Sequence, residues 1–111
     1  VSQAEAICRL PGCDAIFVGP VDLKFQMRGP DGSFPSPDDH EEMIQRVIRA
    51  GKSVGTPTGI HVLETDAARL RVEQGMQLIA VGSDLRFMSD ESRRLLRELC
   101  PDDQSVEAVG Y

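Results

Sequence analysis

No apolar run in this chain comes near the ~20 residues that a membrane-crossing helix needs, which argues against a bilayer span. Positive charge is in deficit. Twelve Lys and Arg against eighteen Asp and Glu leave a formal charge of −6, whereas a nucleic-acid surface needs a basic face to meet phosphate. Cysteine is scarce and unpaired in its spacing: Cys8, Cys13 and Cys100 are odd in number and form no CxxC. That pattern fits reduced thiols in the cytoplasm better than a disulfide framework, and the cysteines do not cluster with His40 or His61 as a tetrahedral zinc site requires. Several catalytic signatures are missing too, including a Ser-His-Asp order, HExxH and paired carboxylates at catalytic spacing. Gly51-Lys52-Ser53 is not a phosphate loop. The glycine needed five residues before Gly51 is replaced by Arg46, and the triplet closes a helix instead of opening one.

Length sets the next bound. The 111 residues suit one domain of simple architecture, but a closed (β/α)8 barrel needs roughly 200 or more. A composition of 41% apolar and 27% charged residues favours a folded globular chain over disorder. The chain opens on Val1 and lacks the basic-then-apolar order of a secretory signal. Such an opening reads as a processed chain, an incomplete gene model or a fragment.

What is present begins with Ala15-Ile16-Phe17-Val18-Gly19-Pro20-Val21-Asp22-Leu23, an apolar run that ends in Gly-Pro and then offers a carboxylate. Buried parallel strands read as continuous apolar segments, and ligands in α/β folds sit beyond their carboxyl ends. Asp22 therefore stands where chemistry is usually done. The design recurs where Leu78-Ile79-Ala80-Val81 runs into Gly82-Ser83-Asp84-Leu85, so two strands are expected to deliver glycine and aspartate to one face. Each aspartate also has a plainer reading as a helix-start residue, stronger for Asp84 because Ser83 precedes it. His40 is expected on the solvated first turn of a helix. His61 is expected to follow a strand, where it could face the same pocket as Asp22.

The remaining elements follow from punctuation and periodicity. Val1 to Leu10 reads as the end of a helix broken by Pro11-Gly12, with a strand over about 14–18. Lys24 to Ser36 reads as a long functional loop. Ser36-Pro37-Asp38-Asp39 opens a helix whose apolar stripe is Met43, Ile44, Val47 and Ile48, with Gly51 as its stop. A short strand is expected over 53–56, a helix over 65–74 ending at Gly75, a strand over 77–81, and a last helix from Ser89 to Leu99 ended by Pro101. Strand and helix alternate throughout, which predicts βαβ units and a parallel sheet with two open edges. The domain is expected over 1–101, with 102–111 as a flexible C-terminal tail.

Phe17-Val18-Gly19-Pro20-Val21-Asp22-Leu23, followed some sixty residues later by Ile79-Ala80-Val81-Gly82-Ser83-Asp84-Leu85, resembles the HpcH/HpaI family of class II pyruvate aldolases. Gly51-Lys52-Ser53-Val54-Gly55 and Glu73-Gln74-Gly75-Met76 are similar to that family as well. The resemblance runs from about Pro11 to Leu99. It implies an α/β chain holding the C-terminal three β/α units of a (β/α)8 TIM barrel of the phosphoenolpyruvate/pyruvate type, incomplete in this chain. It implies a divalent cation, magnesium or manganese before cobalt or zinc, with Asp22 as the metal ligand. Gly19, Pro20, Val21 and Asp22 are implied to bind substrate, the amides of Val21 and Asp22 receiving the pyruvate carboxylate. The family's glutamate ligand, histidine base and arginine correspond to positions upstream of Val1. The implied reaction cleaves a 4-hydroxy-2-oxo acid to pyruvate and an aldehyde through a metal-stabilised enolate, in a cytoplasmic homo-oligomer with no nucleic-acid or membrane partner.

Departures from the family pattern keep other readings open. The Pro57-Thr58-Gly59-Ile60-His61 segment looks like an insertion. Three strands cannot close a barrel, so this chain alone is expected to be inactive. The rival reading is a non-catalytic truncated half-barrel or interaction module that pairs its open edges with a partner. A small doubly wound ligand-binding domain is a third reading, and it requires edges protected within the chain.

Overall fold

A computed structural model describes residues 1–101, and the expected tail over 102–111 lies outside the described residues. Elements follow in the order α1 (Ala4–Cys8), β1 (Ile16–Val18), α2 (Pro20–Gln26), α3 (Pro37–Val54), β2 (Thr58–Val62), α4 (Thr65–Glu73), β3 (Leu78–Val81) and α5 (Asp84–Leu99). They divide into two compact units, Val1–Val81 and a second that begins at Gly82.

In the first unit the three strands lie parallel in the order β1-β2-β3. Both outer strands are edges. Phe17 pairs with Gly59 and Gly59 with Leu78, while the next row aligns Val18, Ile60 and Ile79. Because side chains alternate along a strand, these rows occupy opposite faces, and the large side chains differ in burial between them. Val18, Ile60 and Val62 are buried with Ile44, Val47 and Ile48 of α3 and with Met76, each such side chain contributing roughly 1.5–3 kcal/mol. On the other face Phe17 is 47% and Leu78 50% exposed.

Helix α3 begins as its sequence predicts. Ser36 caps it, its Oγ accepting from the Asp39 N–H at 3.1 Å and donating to the Asp39 carboxylate at 2.7 Å, and Pro37 occupies the first turn. Its end differs from expectation. The helix runs through Gly51 to Val54 and stops at Gly55, whose φ of 79° supplies the left-handed cap. Gly51 serves packing instead, since a Cβ there would meet the Thr58 methyl and stand 2.6 Å from the Thr56 carbonyl oxygen. The strand expected over 53–56 is therefore the end of α3 and a turn, and β2 begins at Thr58.

Two further boundaries shift. Lys24 to Gln26 continue α2 instead of opening a loop, because Pro20 at the helix start lets the turn after β1 pass straight into helix. In the second unit α5 starts at Asp84, six residues before the acidic pair Asp90-Glu91, because the Ser83 side chain accepts from the Arg86 N–H at 3.2 Å and caps it. Ion pairs within α5 join Arg94 to both Glu91 and Glu98. Among the described residues no helix is long and apolar enough to cross a membrane.

Candidate functional site at the carboxyl edge of the sheet

Strand β1 ends at Val18, Gly19 is the N-cap of α2 with extended backbone, and Pro20 opens the helix. Asp22 falls in its first turn. The carboxylate folds back over Gly19, where a Cβ would run into Oδ2, so glycine is the residue that leaves room for this rotamer. Asp22 is exposed. Val21, 64% exposed, stands beside it, and the Val21 and Asp22 amides belong to a first turn that has no carbonyl one turn back to bond. Leu23 anchors the turn: it packs on the hydrophobic core, and its N–H donates to the Gly19 carbonyl at 2.9 Å.

His40 lies elsewhere than expected. It is half-buried, not solvated, and its Nε2 stands 2.9 Å from the carbonyl oxygen of Pro20. A carbonyl only accepts, so Nε2 is the donor. Position in the first turn of an acidic helix had suggested a solvated ring, and only the folding of α2 against α3 brings Pro20 within its reach.

The segment after α2 is bound to that helix and to itself by side-chain contacts. Phe25 and Phe34 meet edge to face with ring centroids 5.2 Å apart, and the Arg28 guanidinium lies 4.9 Å from the Phe34 centroid. Arg28 Nε also donates to the Gly32 carbonyl at 3.1 Å. Asp31 accepts from the Ser33 hydroxyl at 2.7 Å and from its N–H at 3.0 Å, and these bonds hold the Asp31 carboxyl below its ordinary range.

His61 lies inside β2, half-buried, in register with Ala80 and on the face that carries Phe17 and Leu78. The expectation that it follows the strand fails because β2 starts later than its glycines and proline suggest. Asp84 belongs to the second unit, where its Oδ1 accepts from the Leu85 N–H at 2.7 Å. Cys8 is buried, which pushes its thiol pKa up, and neither Cys8, Cys13 nor Cys100 forms a disulfide.

Among the described residues no three His, Cys, Asp or Glu side chains gather into a metal cage. Asp22 nevertheless fits as a single ligand, because it is an exposed carboxylate at a strand end and oxygen donors suit a hard cation.

No family model matches the chain. Among curated relatives, a 2-dehydro-3,6-dideoxy-6-sulfogluconate aldolase of Pseudomonas putida is 35% identical over 99% of this chain and 42% of its own length. A 5-keto-4-deoxy-D-glucarate aldolase of Salmonella arizonae is 42% identical over 86% of this chain and 36% of its own. A hydroxypyruvate/pyruvate aldolase of Chromohalobacter salexigens is 38% identical over 79% and 34%. The chain thus spans about two-fifths of such a relative or less. Its fold matches the crystal structure of an HpcH/HpaI aldolase/citrate lyase family protein from Burkholderia cenocepacia with a TM-score of 0.77 and 38% identity, over 88% of this chain and 37% of that one. Likeness in sequence and likeness in fold agree on the same segment, and both match this chain of three parallel β/α units to a part of the HpcH/HpaI aldolase family's proteins.

Proposed function

We propose that the whole protein is a metal-dependent aldolase that cleaves a 4-hydroxy-2-oxo acid to pyruvate and an aldehyde, with residues 1–101 as one partial barrel domain. The observation that carries this reading is the carboxylate of Asp22, set over Gly19 at the carboxyl end of β1. Asp22 would hold a divalent cation, magnesium or manganese first. That cation supplies Lewis-acid polarisation of the 2-oxo group. Gly19 and Pro20 shape the turn, and the amides of Val21 and Asp22 receive the substrate carboxylate. A base from outside these residues takes the 4-hydroxyl proton, the C3–C4 bond breaks, and its electron pair passes toward C2 while the aldehyde carbonyl forms. A proton returned to C3 completes pyruvate. Reduced cysteines suit a cytoplasmic setting, and the two open sheet edges suit a homo-oligomeric protein with a completed barrel.

The test is pyruvate release by the full-length protein supplied with magnesium or manganese, compared with Asp22→Ala. Loss of release in the variant is expected. Full activity without the carboxylate removes the assignment.

The half-exposed side chains of Phe17 and Leu78 favour one second reading, a non-catalytic half-barrel that acts by pairing. Sedimentation with and without magnesium separates the two, since a pairing module associates without regard to metal.

A further inference from the structure

The turn that carries Asp22 is held from outside itself. Gly19 has no side chain with which to cap α2, and Pro20 has no N–H to donate. The restraint comes from α3, through the 2.9 Å bond between His40 Nε2 and the Pro20 carbonyl oxygen.

We propose that His40 is a positioning residue for the Gly19–Asp22 turn, fixing the roll of α2 and so the direction of the Asp22 carboxylate; this rests on the reading of Asp22 as a ligand given above. The histidine is well placed for the role because its own backbone is fixed on both sides. Its N–H donates to the Ser36 carbonyl at 3.0 Å within the capped first turn of α3. The next residue, Glu41, is locked to Arg71 of α4 by two bonds of 2.6 and 2.7 Å. Helix α2 has seven residues and buries none of them fully. Leu23 packs on the core and Phe25 on Phe34, and both lie beyond the turn, toward the carboxyl end of the helix. The bond from His40 adds the restraint at the amino-terminal turn itself, where the roll of Pro20 is set. Asp22 lies two residues beyond Pro20, about 200° further around the axis, so a roll released at Pro20 swings the carboxylate directly. Ligand geometry tolerates only about 0.5 Å of such displacement.

The experiment compares His40→Ala and His40→Gln in the full-length protein by amide hydrogen exchange without metal and by Mn2+ titration. In His40→Ala, exchange at Leu23 to Met27 should quicken about fivefold, the equivalent of one net hydrogen bond. Amides at Ile44 to Ile48 should not change. Mn2+ affinity should fall about tenfold, as for loss of a group that orients a ligand. His40→Gln, whose side-chain amide can donate to the same carbonyl, should restore both. Unchanged exchange in α2, equal quickening throughout α3, or failure of glutamine to rescue overturns the proposal. Asp22→Asn separates the two readings: it should lose Mn2+ binding while α2 exchange stays normal. If it keeps Mn2+, the ligand assignment fails, and the exchange data still decide the role of His40.

Discussion

Arg71 holds both carboxylate oxygens of Glu41, with Nη1 2.6 Å from Oε1 and Nη2 2.7 Å from Oε2, tying α4 to the second turn of α3. Gln45 adds a bond of 2.8 Å to Oε1. The pair is partly sheltered, with side-chain exposures of 11% for Arg71 and 39% for Glu41.

Those bonds set an acid limit on stability. The Arg71 hydrogen bonds, opposed by partial burial and helped by Gln45, pull the Glu41 pKa from 4.5 down to about 2. Its folded value is depressed, so the contribution is whole above the unfolded pKa and is lost as pH falls from about 4.5 toward 2. Solvent reaches Glu41, and screening reduces the effect to about 1–2 kcal/mol. Glu41→Gln should therefore lower stability by that amount at pH 7 in urea unfolding. The gap between variant and parent should close as the pH approaches 2, and a gap independent of pH would refute the assignment.

Gly51 makes a second prediction, with a sign opposite to intrinsic propensity. Alanine is favoured over glycine inside a helix by about 1 kcal/mol, yet a methyl here would collide with the Thr58 side chain and the Thr56 carbonyl. Overpacking of this kind costs about 1–3 kcal/mol. Gly51→Ala should lower the thermal midpoint, and a stabilised variant would show that α3 and β2 can part without penalty.

This position also shows where sequence reading stops. The start of α3 was legible because Ser36-Pro37-Asp38-Asp39 carries its signal locally, in a cap, a fixed φ and acids at the positive end of the dipole. The end was not, because Gly51 and Gly55 look alike as letters, and only the approach of β2 makes one a spacer and the other a stop. The parallel order was legible from the alternation of elements. Helix α2 as a whole was not legible, because it is short and lies close to Gly29-Pro30. Asp22 could be singled out because it ends an apolar run, whereas His40 belongs to its surroundings through a contact twenty residues away. No local pattern encodes such a bond.

Ser36 gives a third prediction, because one hydroxyl both starts α3 and fixes the turn that bears His40. Its Oγ accepts from the Asp39 N–H at 3.1 Å, and replacing such a cap by alanine costs about 1 kcal/mol. Ser36→Ala should lose that much in urea unfolding, while Ser36→Thr, whose hydroxyl can both accept from the Asp39 N–H and donate to its carboxylate, should lose little. Equal losses in both would place the contribution outside the cap.

The face of the sheet that carries Phe17 and Leu78 makes the last prediction. Phe17 and Leu78 lean over Gly59 from the two edge strands, a Cβ at Gly59 lying 2.7 Å from the Leu78 Cβ and 3.0 Å from Phe17 Cδ2. The glycine thus leaves room for two large apolar side chains on either side of the middle strand, each about half exposed. Edge strands with unpaired backbone groups beside an apolar surface promote association. Produced alone, residues 1–101 should self-associate in sedimentation at micromolar concentration. The double substitution Phe17→Ser, Leu78→Lys should shift the population toward monomer, since it leaves the core-facing row of Val18, Ile60 and the partly buried Ile79 untouched and places a charge on the outer strand. Should the parent sediment as a monomer, the face is satisfied within the chain, and the doubly wound architecture with protected edges becomes the better description.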